Sequence, residues 1–283
     1  MVRPALVLAC CRAVGGDKMQ GLPAAVAVEL IHNASLLHDD IIDHDATRRG
    51  RPTLWAQLGL PAAILAGDAL FFLAIDVLTD AGGPLAVGGI NSLTAATQKL
   101  IGGEYTDVLL EEQTSAPLSV VEAMAQAKTG ELIAEACALG ALAGGASPAT
   151  ISLLKRFGVH LGAAFQLVDD ILGIWGDPLQ TGKPGYSDLR ARKKSLPVAA
   201  ALNAGGPAAA RLGELYARAE PFSEEELTLV AGLVDQANGR AWAEKTAASH
   251  IRAARRHLVA ACPSPGAAED LNVLARMITH RDR

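Results

Sequence analysis

The chain has 283 residues, of which 50% are apolar and only 4% aromatic, with 28 glycines, abundant alanine and a net charge of -5. That length allows one large domain or two ordinary ones, and the composition favours closely packed helices over a sheet rich in Val, Tyr and Phe. The acidic balance excludes the basic face that nucleic acid calls for, so an anionic partner must be held by local basic clusters.

In chain order, "MVRPALVLAC" comes first. A basic residue, a short apolar run and Cys10 imitate a lipoprotein signal, but the run sits at the bottom of the roughly 7 to 15 residues a signal needs and begins almost at Met1. Apolar residues then recur at three and four in "AVAVELIHNASLLHDDIID", "ILAGDALFFLAIDVLTD", "SVVEAMAQAKTGELIAEACALGALAGG" and "LLKRFGVHLGAAFQLVDDILGIW", which predicts helices, and nothing alternates as a strand would. Several of these helices are apolar almost all round, so the expected architecture is an all-α, single-domain helical bundle around a central cavity, covering 1–283 with no separating linker. Three stretches lack the period and read as loops: "TRRGRP", "DAGGPLAVGG" and residues 176–197, "GDPLQTGKPGYSDLRARKKSLP". The last carries Lys183, Arg190, Arg192, Lys193 and Lys194, and a loop of that length with that charge suggests a working segment. No apolar run reaches the roughly 20 residues of a membrane span, because Asp68 and Asp76 interrupt "AILAGDALFFLAIDVL". Cys10, Cys11, Cys137 and Cys262 have neither zinc nor disulfide spacing, so they read as core fillers in a reducing cytoplasm.

The chemistry concentrates in "HDDIIDHDATRRGRP". On a helix Asp39 and Asp43 lie one turn apart on one face with Asp40 beside them, and such like charges repel unless something cationic offsets them. Hard carboxylate oxygens without thiolates suit Mg²⁺, which binds one or two carboxylates, keeps waters and takes further ligands from a substrate's phosphates. A solvated acidic face is the competing reading of one such motif. A second acidic pair, Asp169 and Asp170, follows the apolar "GAAFQLV", with Gln166 one turn earlier. Unpaired carboxylates rarely stay ionised in such a setting, which favours a metal cage over a solvated face.

"LIHNASLLHDDIIDHDATRRGRPT", "GDAL", "KTGEL", "GAAFQLVDDILGIWGDP" and "TGKPGYSDLRARKKSLP" stand in the order and spacing of the trans-isoprenyl diphosphate synthases, or polyprenyl synthetases. The chain resembles this family from Arg3 to about Pro197, most closely the bacterial geranylgeranyl diphosphate synthases. The resemblance implies the isoprenoid synthase type I fold, usually as a homodimer, and head-to-tail condensation of isopentenyl diphosphate with an allylic diphosphate. It implies Mg²⁺, up to three ions, with Mn²⁺ able to substitute. Carried over by position, Asp39 and Asp43 would ligate Mg²⁺ on the allylic diphosphate, with Asp40 in support and Asp169 and Asp170 completing the cage. Arg48, Lys128, Thr129, Gln166 and Lys183 would contact the allylic diphosphate, His32 and Arg49 the isopentenyl diphosphate, Arg3, matching the basic residue of the family's G-G-K-x-x-R-P segment, would bind substrate, and Lys193 would close over the site. Alone, His32 reads as a core histidine, and Lys128 and Lys193 as surface charges.

In this family the residues four and five before the first motif shape the product floor. Here they are Ser35 and Ala34, both small, with Ile31 a turn back, so the floor reads as open enough for geranylgeranyl diphosphate, unless Phe71 or Phe72 supplies a stop. Two features depart from the pattern. The second motif reads Asp169-Asp170-Ile171-Leu172-Gly173, and Asp177 would stand in only at the rim, if the helix survives Gly173 and Gly176. Met1 stands where the family is already entering its R-P helix, so an N-terminal helix or two, and a Gly-Gly-Lys, are expected to be missing. A class I terpene cyclase, which should show an N-D-x-x-S-x-x-x-E signature not found here, and a catalytically weak partner subunit are the rival readings.

Overall fold

The computed structural model describes residues 2–111, 113, 115–178, 185–261 and 265–279, so Lys183 and Cys262 lie outside the described residues. The described chain is helical apart from one two-stranded pair, in keeping with the all-α expectation. It forms two compact units, each assembled from separated stretches: Met1–Lys99, Glu131–Gly158 and Arg255–Leu274 make one, and Leu100–Gly130, Val159–Ala254 and Ala275–Arg283 the other.

In the first unit, α1 (Val2–Ala13) packs on α2 (Lys18–Ile42) and on α7 (Glu131–Ala143), and α2 also packs on α4 (Leu60–Ala81). Helix α2 begins at a capping box: Asp17 accepts from Met19 N at 2.7 Å while Gln20 Oε1 accepts from Asp17 N at 2.7 Å, satisfying N–H groups that the first turn leaves open. Every residue of α7 from Glu131 to Ala141 is buried, as a sequence apolar apart from Glu131 and Glu135 favours. Glycine lets these helices touch backbone to backbone. A Cβ at Gly140 would stand 2.2 Å from Val7 O, and one at Gly158 would stand 2.6 Å from Ala134 Cα. The Ala- and Gly-rich composition is therefore a packing requirement rather than a mere helix preference.

The second unit holds a core in which Ile174, Leu189, Val198, Leu212, Leu215 and Val230 meet. It draws on the end of α8 (Pro148–Trp175), the one-turn α9 (Ser187–Arg190), α10 (Leu196–Asn203), α11 (Gly206–Tyr216) and α12 (Glu224–Gln236). Helix α12 opens on a second capping box, formed by Ser223 and Glu226. Helix α5 (Ile90–Glu111), α6 (Leu118–Ala125), α13 (Gly239–Ala261) and α14 (Pro265–Thr279) complete the described helices beyond the short α3 (Leu54–Leu58).

The structure differs from the sequence expectation at several places. Within the stretch 176–197, read as a loop, Ser187–Arg190 forms the one-turn α9 and Leu196 already begins α10. "TRRGRP" is a hairpin, β1 (Thr47–Arg48) paired antiparallel with β2 (Arg51–Pro52), because Arg49 and Gly50 both take positive φ, the conformation a two-residue hairpin needs. "DAGGPLAVGG" is only partly loop: Gly82 and Gly83 break α4 at positive φ, and Leu85–Gly89 then forms a π-helical turn leading into α5. Helix α8 survives Gly173 but ends at Trp175, so the condition set for a rim position of Asp177 is not met. Finally, α4 and α8 are long and apolar enough to cross a membrane by length and composition, despite Asp68 and Asp76 in α4. On α4 the apolar side chains include Leu65, 66% exposed, and Phe72, 74% exposed.

Replacing Gly158 by Val should drive a side chain into Ala134 and cost about 1–3 kcal/mol, seen as a lower urea midpoint by circular dichroism. Gly232, in α12 with nothing within 4 Å of an added Cβ, should instead gain about 0.4–1 kcal/mol on replacement by Ala.

Candidate active site

The first acidic motif occupies the last turn of α2. Asp43 is the C-cap, its N–H bonded to Asp39 O at 2.8 Å, so the two remain one turn apart as the spacing predicted. The β1–β2 hairpin folds back on this turn. Thr53 Oγ1 and Trp55 Nε1 each donate to Asp45 O at 2.8 Å, anchoring the returning strand. Arg48 is thereby brought over the motif: its Nε donates to Asp40 Oδ1 and its Nη2 to Asp39 Oδ2 at 2.8 Å. Asp40 is only 4% exposed, and burial raises its pKa even though Arg48 opposes the rise.

His32, two turns back on α2, lies in a basic environment. Burial, then the charges of Arg3, Arg49 and Arg48, push its pKa down to about 3, with only Asp39 opposing. It is therefore neutral at pH 7, because adding a proton there would place a fourth positive charge among three arginines. The residues Arg3, His32, Asp39, Asp40, Asp43, Arg48 and Arg49 thus belong to one unit and interact within it. Of the floor residues, Ile31 and Ala34 are buried and Ser35 is half-buried, its Oγ donating to His32 O at 2.8 Å. Phe71 meets the His38 ring edge-on at a centroid distance of 5.7 Å, while Phe72 points to solvent. Gly67 makes room for His38, since a Cβ there would lie 2.2 Å from His38 Nε2.

The second unit gathers the other predicted residues. Lys128 and Thr129 sit in a π-helical turn, Gln126–Gly130, pressed against α5 where Gly103 leaves 2.4 Å between its would-be Cβ and Lys128 N. Lys128 Nζ is held by Asp107 Oδ2 at 2.7 Å and Glu104 Oε2 at 2.9 Å, so it is not the surface charge its sequence alone suggests. On α8, Gln166 Nε2 donates to Asp170 Oδ1 at 2.6 Å, and Leu196 N donates to Asp170 Oδ2 at 2.8 Å. Asp170 is 7% exposed; burial and then the charge of Asp188 push its pKa up to about 8 against those two donors. Lys193 is half-buried, its N–H bonded to Asp188 O at 2.9 Å. Lys183 lies outside the described residues.

The middle carboxylate of each motif, Asp40 or Asp170, is thus buried against protein donors. Among the described residues no three His, Cys, Asp or Glu side chains gather closely enough to hold an ion by themselves. That still fits Mg²⁺, since it needs only one or two protein carboxylates beside water and phosphate oxygens, and every donor here is hard oxygen.

Sequence reasoning missed Glu104 and Asp107, which hold Lys128, and named Lys194 only as a charge of the 176–197 stretch, whereas its Nζ donates to Leu110 O at 2.8 Å and Glu111 O at 3.3 Å at the C-terminus of α5. Glu104 and Asp107 do share a helix face at a spacing of three, which was legible, but nothing local ties them to Lys128.

A model of the polyprenyl synthetase family matches residues 1–232. The geranylgeranyl diphosphate synthase of Mycobacterium tuberculosis is 44% identical over 281 residues, 99% of this chain and 79% of that protein. The (2E,6E)-farnesyl diphosphate synthase of the same organism is 44% identical over 253 residues, covering 88% and 70%. Among solved structures, a polyprenyl synthetase from Streptomyces coelicolor A3(2) superposes with a TM-score of 0.94 at 45% identity, covering 98% of this chain and 84% of that one. With its two acidic helix segments, the arginine hairpin and relatives this similar along nearly all of its length, the chain belongs to the polyprenyl synthetase family.

Proposed function

We propose that this protein is a Mg²⁺-dependent trans-prenyltransferase that condenses isopentenyl diphosphate with dimethylallyl, geranyl or farnesyl diphosphate to give a longer all-trans prenyl diphosphate, chiefly geranylgeranyl diphosphate. The observation that carries this is the hairpin that turns Arg48 onto Asp39 and Asp40, an acidic, metal-suited turn with phosphate-binding cations beside it. Bound Mg²⁺, replaceable by Mn²⁺ and up to three ions, supplies neutralisation of charge on the departing diphosphate.

Asp39 and Asp43 would hold it at the first motif and Asp169 at the second. Asp40 and Asp170 would act mainly as supports, because they are buried, 4% and 7% exposed, and already engaged by protein donors. Arg48, Lys128, Thr129, Gln166, Lys183 and Lys193 orient the allylic diphosphate, and Arg3, His32 and Arg49 bind isopentenyl diphosphate. No side-chain nucleophile is needed: the allylic carbon–oxygen bond ionises, the isopentenyl double bond attacks the cation, and a proton leaves to the departed diphosphate. Such a site would also have to exclude water, which would quench the cation. Buried free thiols at Cys11 and Cys137 support a reducing cytoplasm as its setting.

Radiolabelled isopentenyl diphosphate with Mg²⁺ and each of the three allylic starters should yield longer diphosphates, and Asp39→Asn should lower kcat about a thousandfold, the several kcal/mol a positioned metal is worth. Hydrocarbon products would point instead to a terpene cyclase, and no turnover at all to a partner subunit.

The proposed C20 product rests on the small side chains at Ala34 and Ser35. Relatives named for farnesyl, geranylgeranyl and geranylfarnesyl diphosphate leave several lengths open. Ala34→Phe should shift the chromatographed products toward C15; an unchanged profile would remove Ala34 from the floor.

A homodimer is the third part of the proposal. The exposed stripe of Leu65, Ala69 and Phe72 on α4 recurs at helical spacing, and a contiguous apolar face of this kind suits a second copy of the chain. Sedimentation should give a dimer, and Leu65→Glu with Phe72→Glu should give monomers at the same concentration.

A further inference from the structure

The two acidic motifs of this chain share one pattern with one difference. The first reads Asp39-Asp40-Ile41-Ile42-Asp43, and the second reads Asp169-Asp170-Ile171-Leu172-Gly173. Gly173 lies four residues beyond Asp169 and so one turn along the same face of α8. That place is not empty. A Cβ built on Gly173 would stand 2.4 Å from Oδ2, 2.5 Å from Cγ and 2.6 Å from Oδ1 of Asp188, so all three carboxylate atoms press on the space that a side chain at 173 would take.

The fit is held from both sides. Ser187 Oγ donates to Gly173 O at 3.2 Å, Lys193 N donates to Asp188 O at 2.9 Å, and Leu196 N donates to Asp170 Oδ2 at 2.8 Å. Among charged groups, Asp188 also acts on Asp170 more strongly than the sequence neighbour Asp169 does. An acidic residue in the first turn of α9 is the bland account of Asp188, but a single turn offers little dipole, and that role would not need a glycine at 173.

We propose that Asp188 is the third carboxylate of the second acidic motif, delivered from α9 into the place that Gly173 leaves open on α8. The inference rests on the metal-diphosphate reading above. Asp188 is a positioning residue: it sets the charge one turn along from Asp169, where it would act on the waters that Mg²⁺ retains. It also makes the second motif complete only when the Ser187–Leu196 segment, which carries Lys193, is docked on α8.

The test is Mn²⁺ binding in the presence of inorganic pyrophosphate, followed by electron paramagnetic resonance, alongside the Mg²⁺ dependence of elongation. Asp188→Asn should weaken Mn²⁺ binding about tenfold, as removal of an outer-shell carboxylate does, and raise the Mg²⁺ needed for half-maximal rate. Moving the carboxylate, by Gly173→Asp together with Asp188→Gly, should restore binding close to that of the unaltered chain. Unchanged Mn²⁺ binding in Asp188→Asn overturns the assignment, and so does a relocated pair that folds but binds no better than Asp188→Asn. If circular dichroism shows the relocated pair unfolded, Gly173→Ala replaces it. Its methyl group displaces the Asp188 carboxylate without changing charge and should also weaken Mn²⁺ binding; no effect there overturns the assignment. Unaltered protein that binds Mn²⁺ with pyrophosphate yet elongates no prenyl diphosphate would sink the proposed function and leave Asp188 in place.

Discussion

The rest of this structure depends on the cost of keeping carboxylates inside an apolar helical framework. An ionised group out of water is unfavourable by several kcal/mol unless it is paired or fully hydrogen-bonded. The chain meets that cost differently at its two motifs. At Asp40 the compensation is a cation, the guanidinium of Arg48, brought back by a hairpin. At Asp170 it is two neutral donors, the Gln166 amide and the Leu196 N–H, so burial and the Asp188 charge prevail and the carboxyl is pushed toward its protonated form at neutral pH. A divalent ion near Asp170 would reverse that balance, because positive charge favours the ionised form. Metal affinity at the second motif should therefore rise with pH through the neutral range, whereas the first motif carries its own counter-ion.

Close helix packing makes such sites precise. Gly103, Gly140, Gly158 and Gly162 each bring a neighbouring backbone or Cβ nearer than a side chain would permit. Two carboxylates are buried in the same framework and reached from outside it: Lys155 meets Glu135 at 2.8 Å and the exposed Lys99 meets Glu131 at 2.8 Å, on a helix otherwise made of apolar side chains and glycine. Breaking one member of such a pair leaves its partner's charge buried, so these contacts restrain which packing of α7 is tolerated. The rigidity that results suits a site that must hold diphosphate groups and keep water from a reactive cation.

Much of this was legible in the residues. The helical period located α2, α4, α7 and α8, because an apolar stripe repeating at three and four has one inexpensive way to be buried. The clustering of Asp39, Asp40 and Asp43 with Arg48 was also legible, since all lie within ten positions. What escaped was what a local pattern cannot encode. The hairpin at Arg49 and Gly50 depends on a left-handed arginine, a conformation no composition rule assigns to "TRRGRP". The roles of Glu104, Asp107 and Lys194 come from contacts made across 21 to 84 positions of chain. Asp188 is the sharpest case: its meaning lies in the missing side chain of Gly173, fifteen residues earlier.

These contacts also bear on how an anionic substrate could be received by a chain with a net charge of -5. The cations suited to diphosphate are already matched to carboxylates: Arg48 to Asp39 and Asp40, and Lys128 to Glu104 and Asp107. A diphosphate arriving without metal would have to compete with those carboxylates for the cations while feeling their repulsion. With Mg²⁺ bound, Asp39 would hold the metal instead, and the guanidinium of Arg48 would be free to turn to phosphate. The cost of desolvating the cations has by then already been met within the fold, so what remains for the binding step is the exchange of their partners. On this account, metal and substrate should bind cooperatively, each making room for the other, and the acidic partners of Arg48 and Lys128 serve the site by keeping its cations in position rather than by opposing them.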